Sequence, residues 1–155
     1  MKFDWKKLLL CLAIPLVVGG LSALLSGGMG DYAGFVQPPL SPPGWLFPVV
    51  WTILYLLMGY ASYRVLTSAA PKEEIRKALI LYGAQLLLNF LWSPIFFGLG
   101  WYWVAFAELL LLWVLVFFTI RAFAQIDERA GDLLLPYILW LSFAAYLNFG
   151  VALLN

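Results

Sequence analysis

Residues 103–123 read WVAFAELLLLWVLVFFTIRAF. At 1.5 Å per residue a helix of that length spans about 30 Å, the thickness of a bilayer's hydrocarbon core. The run holds one acid, Glu108, and no base before Arg121. A strand reading fails, because the run is too long and lacks period-2 alternation. Four more apolar stretches of similar length occur: Leu8–Leu25, Phe47–Leu66, Leu79–Leu99 and Leu133–Leu154. The expected fold is all-α, an integral membrane bundle of five transmembrane helices forming a single domain over residues 1–155.

Composition agrees. The chain is 65% hydrophobic and 11% charged, with a mean hydropathy of +0.94. Soluble domains carry about 25% charged residues, and a globule of 155 residues could not hide so much apolar surface from water. Membrane lipid is the expected surrounding. The net charge of +1 argues against nucleic acid as a partner. There is no histidine, which excludes His-based metal sites, Ser-His-Asp triads and His-ligated haem. No metal site and no cofactor are expected. The single cysteine, Cys11, cannot form an intrachain disulfide.

Lys2, Lys6 and Lys7 ahead of the first apolar run look like the start of a signal peptide. The cleavage region does not fit, since Leu21-Ser22-Ala23 has a large residue where a small one is needed. A retained first helix is expected. The other basic residues are Arg64, Lys72, Arg76, Lys77, Arg121 and Arg129. With five spans, all nine fall on one side. The positive-inside rule then places the N-terminus in the cytoplasm and the C-terminus outside.

The long connection on the other side, about residues 26–46, is rich in glycine (Gly27, Gly28, Gly30, Gly34) and then in proline (Pro38, Pro39, Pro42, Pro43). Its first half turns freely and its second is stiff. Tyr32, Phe35, Val36, Leu40 and Trp45 make it apolar enough to pack as a lid.

Three spans repeat one spacing. Trp51, Tyr55, Met58 and Ser62 lie at i, i+4, i+7 and i+11, as do Gln85, Asn89, Trp92 and Phe96, and Tyr137, Trp140, Ala144 and Asn148. Each set shares a helix face. Amides in hydrocarbon are costly unless paired, so Gln85, Asn89 and Asn148 should face protein. The faces either fill a core or meet around a cavity for a flat apolar small molecule. Glu108 is an intramembrane acid about two turns from the end of its span, open to a snorkelling role as much as to a ligand or proton site. Gly19, Ala23 and Gly27 form a small-residue stripe, read as intrachain packing with a homodimer seam as the alternative. Leu57, Tyr60 and Arg64 fit a proposed cholesterol pattern of low specificity.

Three motifs carry a resemblance: PPLSPPGWLFPVVWTILY at Pro38–Tyr55, NFLWSPIFFG at Asn89–Gly98 and PYILWLSFAAYLNFGVALLN at Pro136–Asn155. In this order they resemble the translocator protein family, also called the tryptophan-rich sensory protein or peripheral-type benzodiazepine receptor family. The resemblance covers nearly the whole chain. It implies five helices with a ligand cavity capped by the first loop, binding porphyrins such as protoporphyrin IX and synthetic isoquinoline carboxamides. By position it implies pocket roles for Trp51, Trp140, Trp92 and Asn89, with Tyr32 in the lid, Asn148 in the last motif and Ala144 leaving room for ligand. The chain departs from the family at Gln37-Pro38-Pro39-Leu40, where members often carry Lys-Pro-x-Trp. It lacks the basic residue of the animal members' sterol motif after the last span, so a sterol is not the expected ligand. The short chain resembles bacterial members, hence a bacterial membrane.

The expected function is a membrane receptor or sensor that binds porphyrins and transports them in one version of the reading. The alternative is light-dependent porphyrin breakdown, with Trp51 and Trp140 as the participants. A structural role with the aromatics as plain core is the third reading. No acid–base pair or nucleophile–base pair supports ordinary catalysis.

Orientation is open to a direct check. In a Cys11→Ala background, Asn155→Cys should react with a membrane-impermeant maleimide on intact cells, and Ser68→Cys only after permeabilisation. The opposite pattern would invert the topology.

Overall fold

The computed structural model describes residues 3–27 and 32–155; Lys2, Gly28 and Gly30, invoked above, lie outside the described residues. Among the described residues there is no strand. Helix α1 spans Trp5–Leu25, α2 Leu46–Leu66, α3 Lys72–Ser93, α4 Tyr102–Ile126, α5 Glu128–Leu133 and α6 Leu135–Leu154, with a 3₁₀ turn at Tyr32–Gly34 and a π-helical turn at Pro94–Gly98. Five stretches are long and apolar enough to cross a membrane: Trp5–Leu25, Leu46–Leu66, Lys72–Gly98, Tyr102–Ile126 and Glu128–Leu154.

The helices outrun the apolar stretches that reveal them. Asp4 caps α1 by accepting a hydrogen bond from the Lys7 backbone N–H at 3.2 Å, so the helix starts before Leu8. Helix α3 begins at Lys72, where Glu73 and Glu74 in the first turn complement the helix dipole. Helix α4 runs to Ile126 and ends at Asp127, whose extended backbone breaks the helix. The Asp127 side chain then caps α5 through the Arg129 N–H at 3.1 Å. A jog at Leu134 separates α5 from α6, whose first turn holds Pro136, a residue without an N–H to donate.

Helix α1 packs on α2 and α3, α3 on α4, and α4 on α6, while α5 returns against α2 and α4. Met58, Ala61, Val65, Leu109, Leu112, Val116, Phe123, Tyr137 and Leu141 form the centre of the core. The outward faces carry large apolar side chains, among them Leu9, Leu10, Val17, Leu21, Val49, Ile53, Leu110, Leu111 and Leu139. A bundle exposing such residues along its spans is solvated by lipid. The chain is an integral, multi-pass membrane protein.

The polar end of the bundle that holds the α4–α5 corner, here the basic end, is tied by Arg64. Its Nε lies 2.7 Å from the Asp127 carboxylate, with both side chains partly covered. The end that holds the long loop and Asn155 is the loop end. Near the basic end α1 and α2 approach backbone to backbone: a Cβ on Gly59 would lie 2.6 Å from the Cys11 carbonyl oxygen. Small residues give membrane helices their close packing, since lipid offers them no hydrophobic drive to associate.

That contact sets an expectation. Gly59→Ala should force α1 and α2 apart and lower stability by about 1–3 kcal/mol, seen as a lower Tm in detergent. Gly83→Ala, in a helix with open space around the added methyl, should leave the Tm unchanged or raise it.

Candidate functional site

In its loop-end half the bundle holds a cavity of about 520 Å³. That falls within the usual range of small-molecule sites, about 300–1,000 Å³. Helices α1, α2, α3 and α6 all contribute lining residues. Trp51 and Tyr55 come from α2, Asn89 and Trp92 from α3, and Trp140 and Ala144 from α6, so three repeated faces do converge. Phe47 and Phe97 add two more rings. Trp51 and Tyr55 stack at 5.5 Å, and Phe47 meets Trp140 edge-on at 5.8 Å.

Three expected residues lie elsewhere. Phe96 is buried against Ala105 and Val151. The π-helical turn explains it: the Leu99 N–H reaches back five residues to the Pro94 carbonyl at 2.9 Å, which advances the register after Trp92 and presents Phe97 to the cavity. Asn148 is buried behind Trp92. It accepts a hydrogen bond from Trp92 Nε1 at 3.0 Å and donates from Nδ2 to the Tyr102 carbonyl at 2.9 Å, so it orients the indole without touching the cavity. Tyr32 donates to the Pro42 carbonyl at 2.6 Å and rests edge-on against Phe47 at 5.0 Å. Burial pushes its phenol above the ordinary range, against a hydrogen bond with Ser41 that works the other way.

The wall missing from the sequence reading is α1. Leu16, Gly19, Gly20, Ser22, Ala23 and Ser26 line the cavity. The small-residue stripe was the available signal, but it is ambiguous between a packing seam and a cavity wall. Gly19 serves both: a Cβ there would run into the Tyr55 ring, whereas one on Gly20 would meet nothing within 4 Å.

Beneath the cavity a hydrogen-bonded chain crosses three helices. Tyr55 donates to Asn89 Oδ1 at 2.9 Å, Asn89 Nδ2 donates to the Tyr137 hydroxyl at 2.7 Å, and Tyr137 donates to Gln85 Oε1 at 2.7 Å. Gln85, Asn89 and Asn148 are all buried, as amides in hydrocarbon require. The lining hydroxyls of Ser22 and Thr52 donate to the Phe90 and Pro48 carbonyls at 2.8 and 2.7 Å. No charged side chain lines the cavity among the described residues. What it offers a ligand is aromatic surface.

Glu108 does not snorkel. Both carboxyl oxygens are covered by protein and find no hydrogen-bond partner among the described residues, as is also true of the Trp140 indole nitrogen. The loop is strapped over the ends of α3, α4 and α6. Phe35 meets Phe96 and Tyr102 edge-on at 5.8 and 5.5 Å, and Pro38 packs where Gly150 lacks a side chain. Tyr146 donates to the Pro39 carbonyl at 2.6 Å, and Asn155 pairs twice with the Val36 backbone at 3.1 and 3.0 Å. Of the loop's described residues, Ser26 and Gly44 reach the cavity.

Comparison with known proteins identifies the family. The family model described as TspO/MBR matches residues 11–154. The chain belongs to the TspO/MBR family. It is 39% identical over 150 residues to the tryptophan-rich protein TspO of Chlorobaculum tepidum, covering 96% of this chain and 95% of the relative. It is 39% identical over 155 residues to the tryptophan-rich sensory protein of Cereibacter sphaeroides, covering 100% and 95%. The translocator protein of Ovis aries is 39% identical over 134 residues, covering 84% and 78%. The TspO/MBR relatives are thus named for sensing and for translocation.

The chain beneath the cavity can be probed in this TspO/MBR member. Asn89→Leu leaves the Tyr55 and Tyr137 hydroxyls short of a partner and should destabilise by about 1–3 kcal/mol, read from the detergent Tm. Tyr137→Phe added to Asn89→Leu should cost less than the sum of the two single changes.

Proposed function

We propose that this protein is a membrane receptor for porphyrins of the protoporphyrin IX type, held by stacking and apolar contact in the Trp-lined cavity. The observation that carries the reading is the convergence of Trp51, Trp92 and Trp140 with Phe47, Tyr55 and Phe97 on one cavity. Flat aromatic faces suit a flat conjugated ligand. The chain has no histidine, so a ligand is not held by His axial ligation to iron, and a metal-free porphyrin is favoured over haem. With no charged residue along the walls, the ligand's carboxylates face the polar surface at the loop end. The relatives' names, sensory protein and translocator protein, are compatible with a ligand taken up and signalled or passed on. The one-sided basic residues favour a loop end outside the cytoplasm, by the positive-inside rule.

Titration with protoporphyrin IX while following tryptophan fluorescence tests this. Trp51→Phe and Trp140→Phe should each weaken binding, about threefold to tenfold if each loses roughly 0.5–1.5 kcal/mol of stacking. Affinity and quenching unchanged in both variants would remove the reading. Bleaching of the bound porphyrin's absorbance in light but not in dark, abolished in the same variants, would instead favour photochemical breakdown.

A further inference from the structure

The walls of the cavity are not equally covered. Ser22, Asn89 and Ala144 are buried, and Trp51, Tyr55, Trp92 and Trp140 are half-buried. The exposed lining residues are Leu16, Gly20 and Ala23 on α1 and Pro48 and Thr52 on α2. These two helices run antiparallel. They touch backbone to backbone at Gly59 and Cys11, and Gly19 receives the Tyr55 ring. From there toward the loop end both helices line the cavity instead of each other. The exposed residues therefore mark a cleft between α1 and α2. Leu16 lies eleven residues into α1, about 16 Å at 1.5 Å per residue, so the cleft runs from mid-bilayer to the loop end. It opens sideways, onto lipid.

The cleft suits traffic from hydrocarbon. Its one polar side chain on α2, Thr52, gives its hydroxyl proton to the Pro48 carbonyl of its own helix. The α1 edge is Leu, Gly and Ala, and a Cβ on Gly20 would meet nothing within 4 Å. A ligand dissolved among acyl chains crosses this threshold without stripping water from a polar group. The loop's hydrogen bonds to the bundle, by contrast, are made to Tyr146 and Asn155 of α6 and not to the exposed cleft residues.

We infer that the cavity exchanges its ligand directly with the bilayer, sideways between α1 and α2, with Gly20 and Thr52 as the threshold residues that set the width a ligand can pass. This rests on the cavity being a ligand site, and it defines the ligand class as molecules that partition into membranes. Apolar ligands concentrate in lipid, so the relevant supply is ligand per lipid, not ligand per volume of water.

The test uses the full chain in phosphatidylcholine vesicles, with pyrene in the bilayer as a neutral flat probe. The quenching phase that Trp51→Phe removes reports entry into the cavity. Its rate should follow the pyrene-to-lipid ratio. Gly20→Leu and Thr52→Phe, neither of which removes an interhelical hydrogen bond, should each slow entry and exit on the order of tenfold. Pinning the loop with Val36→Cys and Asn155→Cys, in a Cys11→Ala background under oxidation, should leave both rates unchanged. Slowing by the pinned loop, no slowing by either threshold variant, or no Trp51-dependent phase overturns the inference. Pyrene entry without protoporphyrin IX binding removes the porphyrin reading and keeps the route. Porphyrin binding with unaltered pyrene rates in the threshold variants removes the route and keeps the reading.

Discussion

In a solvent as apolar as the side chains it dissolves, helices gain little by merely burying leucine against one another. The hydrogen-bonded chain from Tyr55 through Asn89 and Tyr137 to Gln85 supplies what burial cannot. Each member has few other ways to satisfy its polar atoms inside a bilayer, so α2, α3 and α6 have one preferred rotation about their axes. Once those rotations are set, Trp51, Trp92 and Trp140 must point to a common space. Asn148 completes the arrangement by holding the Trp92 indole from behind. Most of the polar atoms are consumed within the framework, and the surface left for a ligand is mostly carbon.

This framework explains which features were legible in the sequence. Five spans can be counted from hydropathy because the membrane demands long apolar runs. Their ends cannot, because a helix leaving the bilayer continues in water wherever local chemistry allows; the charged first turn of α3 and the Asp127 corner depend on capping and dipole effects. The faces of α2, α3 and α6 are legible because aromatic and amide residues recur at helical spacing. Phe96 breaks the rule, since one π-helical turn shifts everything after Pro94 by part of a turn. Nothing in helical periodicity announces such a turn, although Ser93-Pro94 is a local sign that the ladder is interrupted.

The role of α1 shows a different limit. Glycine and alanine along a membrane helix permit close approach, but the side of the stripe that is used depends on the neighbour. Gly19 is filled by the Tyr55 ring, while Gly20 is left open. The same residue type closes the bundle at one position and leaves space at the next. The helix with the most lipid-facing surface thereby becomes a wall of the site.

The pairing of Asn155 with the Val36 backbone also has a consequence in time. Chains enter the membrane from their N-terminus, so the first loop is made long before Asn155 and Gly150 exist to receive it. Pro38 and Val36 can reach their seats only after α6 is in place. The fastening of the loop is therefore a late event in assembly. A chain cut short within α6 would keep most of its spans and yet leave its longest connection unanchored.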